Sequence, residues 1–259
     1  MAAEVKNPIV DIERTMVGGA QVARLDLEQT ARLIVNLARG AVSRRRPCYL
    51  TSVNGEVLAR RRLDAAFAQL IDGADLISAD GEPLVVASRI LARNGLPERV
   101  ATTDLYPVVA RMAEDEGLSF YLFGATEEVN SAAYGVTRRM FPRLNIRGRS
   151  HGFLKGDSLD AKLAEINALA PDILWLALGV PLEQEFVARH SACLPNVKVI
   201  KTSGGLFDFI AGAKSRAPRW LQKMGFEWAF RLFLEPRRLA IRYLTTNPIA
   251  LMLLLTQTR

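Results

Sequence analysis

The chain has 259 residues, of which 49% are aliphatic or aromatic and 24% charged. That profile excludes a disordered or fibrous chain and leaves room for one large α/β domain with an appendage. Cys48 and Cys193 form no CxxC motif and His151 and His190 lie far apart in sequence, which argues against a disulfide framework, a structural zinc site and an imidazole-based metal centre, and fits a reducing cytosol.

In chain order, the first 25 residues mix Glu4, Lys6, Asp11, Glu13 and Arg14 without an apolar h-region, so no signal peptide is expected and residues 1–23 receive no role. LDLEQTARLIVNLAR carries the D-x-x-Q spacing of a helix start at Asp26 and Gln29. Residues 47–53 read as a strand, 56–70 as a helix, 74–79 as a strand and 83–91 as a helix. Asp104 is placed to cap the next helix, which runs to about Glu116. LSFYLFGA (118–125) is a strand, 127–141 a helix, and LNIRGRSHG a short strand and loop. A helix opens at Asp157 or Ser158, followed by a strand over 172–179, a helix from Pro181 and a last strand within 197–205. Strand–helix alternation with nearly continuous apolar strands predicts a largely parallel, Rossmann-like α/β sheet covered on both faces, over residues 1–212. After Gly212 the spacing is helical, interrupted at Pro236, and predicts a helical appendage over 213–259.

Ligands of open parallel sheets sit beyond the carboxyl ends of the strands. Four polar or glycine-marked groups fall there: Ser52 with Asn54, Asp80, Gly124, and Gly179 with Pro181. Asp80 could be a general base that takes a proton from an attacking hydroxyl, or the N-cap of the helix containing Pro83. Ser52 and Asn54 suit hydrogen bonds to sugar hydroxyls or a diphosphate, or an ordinary Asx turn. Gly124 stands before a helix N-terminus, the geometry of a phosphate-facing turn, but it belongs to no GxGxxG or P-loop motif. In GVPLEQEF, Gln184 and Glu185 could reach a ligand's ring hydroxyls or lie exposed in the first helical turn.

The net charge of +7 is carried from Lys214 onward, where there are nine Lys/Arg and two Glu; the preceding residues hold 25 basic and 25 acidic side chains. Such a tail predicts an anionic partner: a phospholipid surface, a phosphate ligand or nucleic acid. Arg216, Arg219, Arg231, Arg237, Arg238 and Arg242 interleave with Trp220, Phe226, Trp228, Phe230 and Phe233, and Arg238 and Arg242 share a helix face. Guanidinium groups bind diphosphate through forked hydrogen bonds. The longest uninterrupted apolar run, IALMLLL at 249–255, is shorter than the ~18 residues of a membrane span. An exposed apolar tail could serve a homo-oligomer as well as a bilayer. A nucleic-acid-binding protein and a silent membrane-binding module are the rival readings of the tail, and a nicotinamide dehydrogenase is disfavoured by the missing glycine fingerprint.

DLISADGEPLVVASRI, PERVATTDLYP, LGVPLEQEF and GGLFDFIAGAKSRAPRW with GFEWAFRLFLEPRRLAIRYL, in this order, give the chain a resemblance to the WecG/TagA/CpsF family of bacterial glycosyltransferases, from about Arg24 to Leu244. The resemblance implies inverting transfer of a hexose or N-acetylhexosamine, commonly N-acetylmannosamine, from a UDP-sugar donor to a polyprenyl-diphosphate-linked sugar acceptor. It implies no metal or other cofactor, no nucleic acid as partner, and work as a peripheral protein on the cytoplasmic face of the membrane in cell-surface polysaccharide synthesis. It also implies Asp80 as the base, a strand-end hydroxyl and amide at Ser52 and Asn54, substrate contacts near Asp104, and diphosphate contacts from Arg231, Arg238 and Arg242. Ser52 stands where threonine is usual, Thr102 where glycine is common, and Ile241 where many members carry another arginine.

Overall fold

Runs of apolar residues too short to be helices and buried along their whole length set the centre of the fold. The structure, a computed structural model, describes residues 9–40, 46–218, 221 and 227–259. Strands β3 (Cys48–Val53), β4 (Leu76–Ala79), β5 (Ser119–Gly124), β6 (Asn145–Ser150), β7 (Ile173–Ala177) and β8 (Val199–Thr202) form one sheet in the order β4-β3-β8-β7-β5-β6. Every neighbouring pair is parallel. Strands β7 and β8, last in sequence, fill the middle of the sheet, so the chain reverses direction across it and leaves a crevice at the strand ends.

Alternation along the strands feeds two cores. On one face Leu50, Phe120, Trp175 and Val199 pack against α1 (Leu27–Arg39) and α5 (Thr102–Asp115) through Ile34, Leu105 and Val109. On the other, Ile77, Tyr121, Leu174 and Ile200 meet Leu58, Phe67, Leu163 and Phe186. These four belong to α2 (Gly55–Leu63), α3 (Ala65–Asp72), α7 (Asp157–Leu169) and α8 (Leu182–His190). The remaining helices of this part are α4 (Glu82–Leu91), α6 (Glu127–Met140) and the short α9 (Leu206–Ile210). The result is the expected parallel, Rossmann-like α/β sheet flanked by helices.

The local signals act as their chemistry requires, with three differences. Asp26 and Gln29 form a reciprocal capping box at the start of α1, satisfying two N–H groups that a helix start leaves open. The expected single helix over 56–70 is two: Asp64 ends α2 and accepts from the Phe67 N–H at 3.0 Å to cap α3. Asp104 is not a cap, since α5 begins at Thr102 with Ala101 before it and Asp104 falls inside the first turn. The third difference is an antiparallel hairpin of β1 (Arg14–Val17) and β2 (Ala20–Ala23), in a region given no role from sequence. Its two-residue turn is Gly18–Gly19 with φ of +56° and +85°, the left-handed pair that this tight turn demands.

That hairpin receives the end of the chain. Helices α10 (Glu227–Leu234) and α11 (Pro236–Thr256) follow the sheet, and α11 packs along α2 with Leu239, Ala250, Leu253 and Leu254 buried. Beyond it, the Gly19 N–H donates to Gln257 O and the Arg259 N–H to Met16 O, both at 3.0 Å. The Gly18 N–H donates to Thr258 Oγ1 at 3.1 Å. The last helix is thereby held beside α2, whose N-terminus follows directly from β3.

Candidate active site

Asp80 extends β4 by one residue, its N–H donating to Val53 O at 2.8 Å. It does not cap the helix that follows: α4 starts after Gly81 with no side-chain cap, and Pro83 sits in its first turn. The carboxylate turns instead toward α5. Its Oδ2 accepts from the N–H of Thr102, the first residue of that helix, at 3.4 Å, and its Oδ1 lies 3.5 Å from Arg99 Nη2. Arg99 is brought there because the Val100 N–H donates to Ala79 O at 2.8 Å, laying this segment along the edge of β4. Asp80 thus rests at the positive end of a helix dipole beside a guanidinium, an environment that favours negative charge. Both contacts are long, and the side chain is 26% exposed, so its lone pairs are not saturated by the protein.

Ser52 pairs in register with Ser78 of β4, which puts Ser52, Ser78 and Asp80 on one face of the sheet. Asn54 is the N-cap of α2, its side-chain oxygen accepting from the Val57 N–H at 3.0 Å. Its amide oxygen is therefore engaged in capping. The Ser52 hydroxyl accepts from Lys201 Nζ at 2.9 Å.

Lys201 and its partner are groups that sequence reasoning passed over. The lysine is 1% exposed in the middle of the sheet and also donates to Thr202 O at 2.8 Å. Burial pushes its pKa down to about 8, against the pull of the Glu183 and Asp80 carboxylates. Glu183, 3% exposed at the start of α8, is pushed up to about 7 by burial. The Gly204 N–H, donating to its Oε2 at 2.8 Å, and the Lys201 charge work in the other direction. Gln184 is buried beside it: its Nε2 donates to Glu183 Oε1 at 3.3 Å, and its Oε1 has no hydrogen-bond partner among the described residues. Glu185 turns away and pairs with Arg189 at 3.0 Å, one helical turn on. The acid of LEQEF that faces the strand ends is Glu183, not Glu185, because the buried stripe of α8 runs through positions 183, 184, 186 and 187. A lysine inside the apolar run VKVIKT was the available signal.

Other expected residues have structural partners. Gly124 has φ +134°, and a Cβ there would lie 2.2 Å from Ala177 O, so the backbone of β7 demands the glycine. The turn after it is closed by Thr126, which caps α6, and by Asn130, whose amide donates to Gly124 O at 2.9 Å. Asp104 forms a two-pronged ion pair with Arg216, at 2.6 and 3.1 Å, linking α5 to the segment that leads toward the last helices. Arg242 of α11 reaches Glu56 in the first turn of α2 at 2.8 Å. It lies two residues from Asn54 in this contact but is engaged by a carboxylate. Arg231 and Arg238 fall on α10 and α11, and their side chains lie outside the described residues, as do Arg219, Trp220 and Phe226. Among the described residues no three His, Cys, Asp or Glu side chains gather as a metal site would require.

Asp80, Ser52, Lys201 and Glu183 therefore line up across the ends of β4, β3 and β8 to the start of α8, while Gly124 belongs to the β5–β7 half. The arrangement offers a carboxylate able to accept a proton, a hydroxyl held by its oxygen, and a buried compensated cation. The description "Glycosyl transferase WecG/TagA/CpsF family" matches residues 15–259. Among curated relatives, the N-acetylglucosaminyldiphosphoundecaprenol N-acetyl-beta-D-mannosaminyltransferase of Bacillus subtilis (strain 168) is 29% identical over 189 residues, 73% of this chain and 72% of that protein. The Staphylococcus aureus (strain MRSA252) protein of the same name is 27% identical over 191 residues, 74% of each chain. That of Bacillus spizizenii is 26% identical over 218 residues, covering 84% of this chain and 83% of the relative. With the match running from the N-terminal hairpin to the last residue, this chain belongs to the WecG/TagA/CpsF family and is a glycosyltransferase.

Proposed function

We propose that the protein moves an N-acetylmannosamine-like sugar from a UDP-sugar to a polyprenyl-diphosphate-linked saccharide, with inversion and without a metal ion. The observation that carries this reading is the Asp80 carboxylate, free of the helix that follows it and resting at the start of α5 beside Arg99. The names of the relatives, which act on an N-acetylglucosaminyl-diphosphoundecaprenol, support the acceptor class. In the proposed step Asp80 accepts the proton of the acceptor hydroxyl as its oxygen bonds to the anomeric carbon. The bond from that carbon to the diphosphate oxygen breaks on the opposite face, and UDP leaves with the electron pair. Ser52, Asn54 and Gln184 would hydrogen-bond the donor. Arg231, Arg238 and Arg242 of the appendage from residue 213 would offset the diphosphate charge; for Arg242 that means exchanging Glu56 for phosphate oxygens.

The test is a panel of radiolabelled UDP-sugars with a short-chain lipid-diphosphate N-acetylglucosamine acceptor, run in EDTA. Transfer from UDP-N-acetylmannosamine at an undiminished rate is expected. Activity that vanishes in EDTA and returns with a divalent cation would overturn metal independence, and absence of transfer from every UDP-sugar would overturn the donor class.

The same reading has the protein at the inner membrane surface. Helix α11 is longer than the apolar run suggested, because it continues through Thr245 to Pro248, and among the described residues Leu239–Thr256 is long and apolar enough to cross a bilayer. One of its faces is occupied, by α2 packing and by Arg242 with Glu56. Ile241, Leu244, Leu251, Met252 and Leu255 are exposed, and neighbouring α4 exposes Val86 and Ile90. A helix used on one side by its own fold and apolar on the other suits a position along the interface rather than through it. Leu244→Glu with Leu251→Glu is expected to weaken binding to phosphatidylglycerol vesicles at least tenfold in flotation, since each buried leucine contributes about 2 kcal/mol. Undiminished flotation of this variant would contradict the docking face.

A further inference from the structure

We propose that Lys201 is a positioning residue for glycosyl transfer: it holds the Ser52 hydroxyl by its oxygen, so that the hydroxyl proton is presented at the strand ends as a donor to the bound nucleotide sugar. The proposal rests on the reading of Asp80 and Ser52 as parts of the active site.

A lysine in the centre of a parallel sheet is costly unless its charge is compensated, and an apolar side chain of similar volume would serve packing at least as well. Lys201 does not simply bury its charge against Glu183. Its neighbour in register on β3 is Leu50, and its ammonium reaches two residues further, to Ser52 near the end of that strand. There it donates to Ser52 Oγ at 2.9 Å and to Thr202 O at 2.8 Å. A serine hydroxyl has one proton to give and lone pairs to receive. With an ammonium N–H taken up at the oxygen, the Ser52 proton is directed elsewhere, and no acceptor for it is found among the described residues. Ser52 shares its face with Asp80, whose carboxylate is near enough to act on the lysine's charge.

Glu183 fixes the other end. Its carboxylate takes the Gly204 N–H at 2.8 Å, so the acid ties the start of α8 to the turn after β8 while it compensates the lysine. Ser52 and Lys201 are thus joined directly across β3 and β8, and Glu183 on α8 acts on the lysine through its charge, while the serine proton has no acceptor among the described residues. A purely structural pair has no need to end on a hydroxyl beside the proposed base.

Removing Lys201 alone strands a buried carboxylate, so the test exchanges both partners, Lys201→Met with Glu183→Gln, which removes the charges together. Four proteins are compared: wild type, Ser52→Ala, the exchanged pair, and the exchanged pair carrying Ser52→Ala. Transfer is followed from UDP-N-acetylmannosamine to the lipid-diphosphate acceptor, with kcat and donor KM resolved and thermal melts as the control for folding. Ser52→Ala and the exchanged pair are each expected to lower kcat/KM about ten- to hundredfold. Adding Ser52→Ala to the exchanged pair should then cost no more than about twofold, since the two act through one hydroxyl. Ser52→Thr, which keeps the hydroxyl, should retain activity within severalfold where Lys201 is present and confer no benefit over Ser52→Ala in the exchanged background.

A folded exchanged pair with wild-type kcat/KM, or losses that multiply, would overturn the role of Lys201 while Asp80→Asn and Ser52→Ala remain impaired. Wild-type turnover by Asp80→Asn and Ser52→Ala, or no turnover of the donor by wild type, would remove the active-site reading and this proposal together.

Discussion

Replacing Asp80 with Asn is expected to lower kcat for sugar transfer by about 10²–10⁴-fold while leaving donor KM within a few-fold, the range and pattern for loss of a general base. The substitution is close to isosteric. An asparagine oxygen can still accept from the Thr102 N–H, the contact that the carboxylate makes at 3.4 Å, so the strand end and the start of α5 keep their geometry. What disappears is the capacity to take a proton as the acceptor oxygen attacks. The neighbouring Arg99 gains a neutral partner in place of a charged one, which makes the site more electropositive and, if anything, a better binder of a nucleotide diphosphate. A loss confined to KM would assign Asp80 to binding. An unchanged kcat would remove it from the chemistry, and a parallel fall in melting temperature would make it a structural carboxylate. Steady-state kinetics beside a thermal melt separates the three.

The largest expected effect on stability is at Gly124. Its φ of +134° is a conformation that side-chain-bearing residues rarely adopt, and an added Cβ would stand 2.2 Å from Ala177 O and 2.5 Å from Ala177 C. Those are backbone atoms of β7, paired with β5 in the centre of the sheet, so neither strand can yield without disturbing the other. Gly124→Ala is expected to cost about 3 kcal/mol or more, the sum of backbone strain and a forced strand shift, and to lower the melting temperature by roughly 6–12 °C. The alternative role as a phosphate-facing turn predicts something else: an unchanged melt with weakened donor binding. A melting shift without a matching change in donor KM, measured below the transition, would identify the glycine as a requirement of the sheet.

These two positions illustrate how far the residues alone speak. The residues around Asp80, an apolar run that ends in Asp-Gly before a helix, left its carboxylate open between a helix cap and a base, and the structure removes the cap. The sheet was legible because strands buried on both faces are largely apolar: β5 and β7 carry almost nothing else, β3, β4 and β8 break the run only with Thr51, Ser52, Ser78, Lys201 and Thr202, and the polar exception, β6, lies at an edge. The capping box at Asp26 and Gln29 is a local device and reads locally. Glu183 and Glu185 could not be told apart in the same way. They sit in the first turn of α8 on different faces, and which face meets the sheet is set by how the helix packs rather than by its composition. Lys201 was hidden for a related reason: a lysine within VKVIKT is costly in a central strand, and the compensating acid is 18 residues away in sequence, on a neighbouring element. The break at Asp64 escaped because the apolar spacing continues through it and only the cap on Phe67 marks a new helix. The hairpin at 14–23 has strands of four residues, too short for alternation to register, and its glycine pair was the one clue.

The appendage was legible as helical and basic, but not in its attachment. Arg242 looked like a diphosphate ligand, and the structure gives it Glu56; the burial of Leu253 and Leu254 against α2 and the hairpin depends on chain ends that meet only after folding. If Arg242 serves the donor diphosphate, its pair with Glu56 is the contact that exchanges.

The most direct measurement of the central claim, that glycosyl transfer occurs at the ends of β3 and β4 under Asp80, is a crystal structure with an unreacted UDP-sugar bound. The account predicts the sugar over the strand ends, the Ser52 hydroxyl donating to it, and the Asp80 carboxylate on the side of the anomeric carbon opposite the UDP oxygen, with room between for an acceptor hydroxyl. A nucleotide sugar seated elsewhere, with its anomeric carbon out of reach of Asp80 or with Asp80 on the same side as the leaving diphosphate, would contradict it.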